Sequence, residues 1–324
     1  MKFTSACCFM LSTVLLSANA VADWQPSKPV EIVVPAGEGG GADQMARLIQ
    51  EIVSKQKLMP QPIVVLNKSG KSGAEGFLFV KDNRGNDHQL IITLSNLFTL
   101  PLTTGAEFSW QDFTPVCMMA LDQFVLWVHA DTPYRSAKDY LDAARAAPKI
   151  FKMGGTGASQ EDELVTRALE RAAGVKFVYV PLKGGGEVAQ ALADKRVDST
   201  VNNPIEALKL WQAGTARPLG VFDFQPIDHR DLVFGRNAWK DIPTMKGQGF
   251  NVEYLMLRGI FAAPGVSEEA RDYYVEVMRK VTQTAEWRAY LARGGLKNKF
   301  FVPSAFRSWL IFAETEHKSL LADK

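Results

Sequence analysis

Val30-Glu-Ile-Val-Val34-Pro-Ala-Gly37-Glu-Gly-Gly-Gly41-Ala-Asp43 runs from a β-branched segment straight into a glycine loop. Four β-branched residues among the five before Pro35 predict a short buried strand. Beyond the loop, Met45, Leu48, Ile49, Ile52 and Val53 keep helical spacing and predict a helix with one apolar face. The same order of strand, loop and helix returns along the chain. Pro62–Leu66 enters Asn67-Lys-Ser-Gly-Lys-Ser-Gly73, and Leu90–Leu94 enters Ser95-Asn96. A second block starts with a strand at Phe124–Val128 and a helix over Ala137–Ala147. In it, Ile150–Met153 leads to Gly154-Gly-Thr-Gly157, and a helix from Glu161 to Ala173 stops at Gly174. Lys176–Pro181 leads to Lys183-Gly-Gly-Gly186, and the Thr200-Val201 strand leads to Asn202-Asn203 and a helix begun by Pro204. Two such blocks predict an α/β protein whose glycine loops face one another across a cleft. Amphipathic helices around Glu268–Arg293 and Ser304–Leu321 are expected to brace it.

The chain has 324 residues, 47% hydrophobic and 22% charged, with 25 Gly and 16 Pro, which excludes disordered, collagen-like and coiled-coil classes. Its formal charge of +2 comes from dispersed Lys and Arg, without the basic patch of a nucleic-acid binder. Met1-Lys2, the apolar run Phe9–Leu16 and small residues at Ala18, Ala20 and Ala22 read as a cleavable signal peptide over residues 1–22. The apolar run is too short for a membrane span, and no later run reaches that length. Cleavage near Val21 or Asp23 would remove Cys7 and Cys8 and leave Cys117, so an exported fold here depends on its core rather than on a disulfide.

Enzyme signatures fail one by one. Gly37, Gly39 and Ala42 fit a dinucleotide loop, but the second strand ends in Asn67 where a ribose-binding acid belongs. Gly70-Lys71-Ser72 lacks the leading glycine of a phosphate loop, because position 65 is Val. There is no G-x-S-x-G, and His88, His129, His229 and His317 are scattered. What glycine loops at helix starts do well is hold an anion, through unpaired N–H groups and the helix dipole. Four such loops together predict a small carboxylate gripped between two lobes, with Lys68, Lys71 and Lys183 as nearby countercharge.

Further segments carry a resemblance. They are Trp24–Val30, Gly39-Gly-Gly-Ala-Asp43, Val64-Val-Leu-Asn-Lys-Ser-Gly70, Gly73-Ala-Glu-Gly76, Phe113-Thr-Pro-Val116, Val180-Pro-Leu-Lys-Gly184, Val197-Asp198 and Ala213-Gly214 with Arg217-Pro-Leu219. In this order they make the chain resemble the substrate-binding proteins of tripartite tricarboxylate transporters, the Bug family. The resemblance implies a type II periplasmic-binding-protein fold, two α/β lobes joined by two crossing strands around a ligand cleft. It places domain I at 23–123 plus 225–324 and domain II at 124–224. By position it implies ligand contacts at Gly39, Gly40, Gly41 and Asp43, at Ser72, Gly73 and Ala74, at Gly155, Thr156, Gly157 and Ala158, and at Lys183, Gly184 and Gly185. Ser95, Asn96 and Asn203 are added from loop placement.

The implied function is a periplasmic solute-binding protein that delivers a small carboxylate to membrane permease subunits, as a monomer, without cofactor, metal or catalysis. A ligand sensor of a signalling system and an exported α/β enzyme are the alternatives. Glu38, Glu75 and Glu161 depart from the family pattern. If they face the cleft, they argue against a bare tricarboxylate and for a ligand with one carboxylate or a cationic part. Phe98, Phe124 and Trp127 are read as core residues before pocket residues.

Overall fold

The computed structural model describes residues 24–322, so the expected signal peptide lies outside the described residues. In the first half β1 (Val30–Val34), α1 (Gly41–Lys55), β2 (Ile63–Asn67), α2 (Ala74–Asp82), β3 (Gln89–Thr93) and α3 (Asn96–Thr104) alternate, followed by a long β4 (Thr114–Gln123). The second block holds β5 (Val125–His129), α4 (Ala137–Ala146), β6 (Lys152–Thr156), α5 (Glu161–Ala173), β7 (Val178–Leu182), α6 (Gly185–Ala193), β8 (Ser199–Thr200), α7 (Pro204–Gln212) and β9 (Ala216–Val221). A small hairpin of β10 (Leu232–Phe234) and β11 (Asn237–Ala238) precedes β12 (Leu255–Ala262), α8 (Glu268–Thr282), α9 (Ala285–Gly294), β13 (Lys297–Phe301) and α10 (Pro303–Ala322).

Two sheets result, as the alternation requires. The first has the order β13-β4-β12-β3-β1-β2 and the second β7-β6-β8-β5-β9. β1 lies parallel between β2 and β3, with Val33 opposite Leu66 and Ile91. Because these strands point the same way, the loops that follow them gather at one edge of the sheet. In the second sheet β6 lies parallel between β7 and β8. Its glycine loops therefore gather at one edge as well.

The sheets are joined by strands. β4 becomes β5 across Phe124 alone, which is fully buried and packs edge-on against Tyr254. The return path stays beside β9, where Met245 donates to the Val221 carbonyl and Tyr254 to that of Phe222. Leu255 then opens β12, which runs antiparallel to β4 with Leu255 opposite Gln123. Trp127, Trp211 and Trp239 pack together, with ring centroids 4.8–6.4 Å apart.

The expected helical region Glu268–Arg293 is two helices rather than one. Thr284 ends the run by accepting a hydrogen bond from Trp287 N–H, so that α9 starts in a new direction. Cys117 is fully buried, and burial pushes its thiol pKa up, which fits a packing residue. Among the described residues no helix is long and apolar enough to cross a membrane.

α10 is fastened through His317. Its Nδ1 lies 2.7 Å from the Ala313 carbonyl and its Nε2 2.7 Å from the Tyr254 hydroxyl, while Phe98 stacks on the ring. An imidazole that donates through Nδ1 and accepts at Nε2 is neutral. Burial pushes its pKa down to about 4. The unfolded chain protonates this residue near pH 6.5, so between there and about 4 the unfolded state binds more protons. The contribution of His317 is complete above that window and is lost as pH falls through it. Urea unfolding at pH 7.5 and pH 5 should therefore show a smaller pH-dependent loss in His317→Gln than in the unsubstituted chain.

Candidate functional site

A cavity of about 480 Å³ lies where the loop edges of the two sheets meet, a size that suits a small organic molecule. One wall is the β1–α1 loop, Pro35 to Ala42, with Ser69, Ser72 and Asn96. The facing wall comes from the β6–α5 loop, the β7–α6 loop and the start of α7. The starts of α1, α3, α5, α6 and α7 all reach it, so backbone N–H groups with no partner inside their own helix surround the space.

Of the residues expected here, Gly40, Gly41, Ser72, Asn96, Thr156, Gly157, Lys183, Gly184, Gly185 and Asn203 line the cavity. Gly39, Asp43, Gly73, Ala74, Ser95, Gly155 and Ala158 are not among its lining residues. Asp43 is buried and accepts from Gly39 N–H at 2.9 Å, Arg47 Nε at 3.0 Å and Asn67 Nδ2 at 2.9 Å. Burial raises its pKa, but the hydrogen bonds from Arg47, Gly39 and Asn67 outweigh that and hold it below the usual carboxylate range. In this structure it braces the glycine loop. Gly73 has φ +99°, and a Cβ there would strike the Pro35 carbonyl; one at Gly155 would meet the Tyr179 hydroxyl. Both glycines serve close packing. Ser95 is fully buried, and Ala74 and Ala158 face a neighbouring cleft with Lys71. Phe98, Phe124 and Trp127 are buried away from the cavity, as core residues.

The departures divide. Glu38 and Glu161 line the cavity, whereas Glu75 turns outside, accepting from Gly70 N–H and pairing with Lys68 at 3.4 Å. Lys183 lines the space. Sequence reasoning missed Gln160, Asp162, Glu187 and Glu206, which line it too. Glu206 accepts from Gly41 N–H at 3.3 Å, Asn203 N–H at 3.2 Å and Asn202 Nδ2 at 3.1 Å. Asn203 and Glu206 stand at capping-box spacing, N-cap to N3, and that signal would have placed the glutamate at the cleft. Glu161 accepts from Asn96 N–H at 2.7 Å, and Asp162 from Thr156 N–H at 2.8 Å. Gln160 Nε2 donates to the Ser72 carbonyl. The contacts of Glu206, Glu161 and Gln160 with Gly41, Asn96 and Ser72 span the cleft from one wall to the other.

Burial raises the pKa of Glu161, and N–H donors offset part of the effect. Asp162 is pushed well above the usual range, first by burial and then by the charge of Glu206. Beneath the floor, Arg258 pairs with Asp122 at 2.5 Å, and both are buried. Burial lifts the Asp122 carboxyl to about 6 against the pull of Arg258. Arg258 also lies so close under Gly41 that a Cβ there would collide with its guanidinium.

A sequence model of the family described as "Tripartite tricarboxylate transporter family receptor" matches residues 45–315. A protein of Pseudomonas sp. strain P51, the "UPF0065 protein in tcbD-tcbE intergenic region", is 30% identical over 90% of this chain and 84% of its own. Among solved structures, Rpa4515 of R. palustris with adipate superposes with a TM-score of 0.83 at 23% identity, covering 91% of this chain and 96% of that one. MatC of Rhodopseudomonas palustris with bound malate gives a TM-score of 0.80 at 19% identity, over 91% of this chain and 99% of that one.

Replacing Asp43 by Ala strips Gly39 N–H and Asn67 of an acceptor. The loss should cost about 1–3 kcal/mol in urea unfolding, the range for a broken buried hydrogen-bond set.

Proposed function

The chain belongs to the tripartite tricarboxylate transporter receptor family, and from that premise we propose a periplasmic solute-binding protein that captures a small organic acid and delivers it to membrane permease subunits. The observation that carries this reading is the cavity itself, framed by helix starts from both walls. Such N–H groups hold carboxylate oxygens without any dedicated arginine. Two proteins of the same fold contain adipate and malate, which supports a carboxylate ligand here. Gly40, Gly41, Ser72, Asn96, Thr156, Gly157, Lys183, Gly184, Gly185 and Asn203 are the contacts we assign.

In this reading there is no chemical step. Residues 23–123 with 225–324 form one lobe and 124–224 the other, with 243–254 lying along the second lobe's sheet. Capture is closure of the lobes about the strands that cross between them. The signal peptide of residues 1–22 directs export, and the mature chain acts as a monomer.

A thermal-shift screen of the mature protein against mono-, di- and tricarboxylates tests the proposal. A ligand at 100 times its Kd adds about 2.7 kcal/mol of stability, which is several degrees for a chain of this size. Thr156→Trp and Gly40→Trp place bulk in the cavity and should abolish that shift while the unliganded unfolding midpoint stays close to its original value. Retention of binding by both variants would move the site elsewhere.

A further inference from the structure

The charged side chains around the cavity are unbalanced. Glu38, Glu161, Asp162, Glu187 and Glu206 line it against Lys183. Arg258 acts on Glu161 and Glu206 at range, but its guanidinium is committed to Asp122 behind the floor. Glu161 and Asp162 are 3% and 6% exposed, and Asp162 feels both Glu206 and Glu161 as repulsive neighbours. Burying several carboxylates together is unfavourable until a positive group or a set of donors joins them.

These acids also sit where an incoming carboxylate would otherwise go. Glu206 takes Gly41 N–H at the start of α1, and Glu161 takes Asn96 N–H at the start of α3. A ligand carboxylate would have to displace them and then face their charge. The first turn of α6 also has acids close by, since Glu187 takes Lys183 N–H at 3.0 Å and Glu206 lies against Gly185. It differs in holding the cavity's cation: Gly184 and Gly185 present backbone N–H groups beside Lys183, and an anion is best matched at that end.

Independently of the acids, Asn96 demands a donor. It is 2% exposed and lines the same cavity, its amide nitrogen faces the Pro35 and Ser72 carbonyls, and its Oδ1 has no hydrogen-bond partner. A buried amide oxygen left without a donor is costly, and an N–H from a ligand would relieve it.

We propose that the ligand is an ampholyte, a small acid that also carries an ammonium or similar cationic nitrogen. Its carboxylate lies at the start of α6 beside Lys183, and its nitrogen lies among Glu161, Asp162, Glu206 and Asn96. This deepens the receptor reading given above and rests on it.

Calorimetric titration with matched pairs that share a carbon skeleton provides the test. Suitable pairs are glutamate with glutarate, aspartate with succinate, and 4-aminobutyrate with butyrate, and butylamine serves as a probe without carboxylate. At least one nitrogen-bearing acid should bind ten-fold or more tighter than its partner. Glu206→Gln and Asp162→Asn, checked for unchanged unfolding without ligand, should shrink that ratio. A nitrogen-free acid that binds as tightly as its partner overturns the ampholyte and leaves the carboxylate receptor standing. Silence from every carboxylate in the panel, with or without nitrogen, overturns both, as would binding of butylamine alone. Mass spectrometry of any compound released on unfolding gives a separate check, and a co-purified acid without a basic nitrogen overturns the inference.

Discussion

The ion pair of Arg258 with Asp122 holds the centre of this molecule. Asp122 stands near the end of β4, the strand that crosses to the second sheet, and Arg258 stands on β12, the strand that comes back. Both side chains are buried, and the guanidinium also lies 3.4 Å from Asn203 Oδ1 and directly under Gly41. One contact therefore joins the outgoing strand, the returning strand, the floor of the glycine loop and the start of α7. A buried pair of this kind adds little net stability over an apolar substitute, yet losing one partner leaves an uncompensated charge and costs about 3–5 kcal/mol. Its value lies in position. The floor of the cavity cannot shift without disturbing both crossings.

The sites on the two walls are likewise built from shared parts. Glu206 caps α7 through Asn203 N–H and reaches Gly41 on the opposite wall. Gly185 must lack a side chain because a Cβ would collide with that same carboxylate. Asp43 works one layer further out and keeps Gly39 and Asn67 in place. The glycines of the loops thus answer to different demands: some open the backbone to the cavity, and others, such as Gly73 and Gly155, let neighbouring elements touch.

How much of this could be read in the sequence follows from the physics of each element. The parallel strands β1, β2 and β3 are short β-branched or aliphatic runs that end at loop residues, and their positions were legible to within about a residue or two. The antiparallel connectors were not. β9 reads Ala-Arg-Pro-Leu-Gly-Val and β13 Lys-Asn-Lys-Phe-Phe, neither with alternation, and Arg258-Gly259 breaks the apolar run of β12. Those sequences become strands because neighbouring strands already fix them. At the site, the glycine loops announced themselves, but Glu206 meets Gly41 across 165 residues of chain. No local pattern reports such a meeting. Resemblance by position marks whole loops, whereas Asp43 and Gly155 lie behind the lining of the cavity, where one braces the loop and the other packs under Tyr179.

The three hydrogen bonds that bridge the cleft, from Gly41, Asn96 and Gln160, join its walls through protein groups alone. Each is worth on the order of 1 kcal/mol net, and the walls part only by giving up all three. Latch and lining are therefore one set of side chains. A change at Glu206 or Glu161 alters how readily the walls separate as well as what they hold.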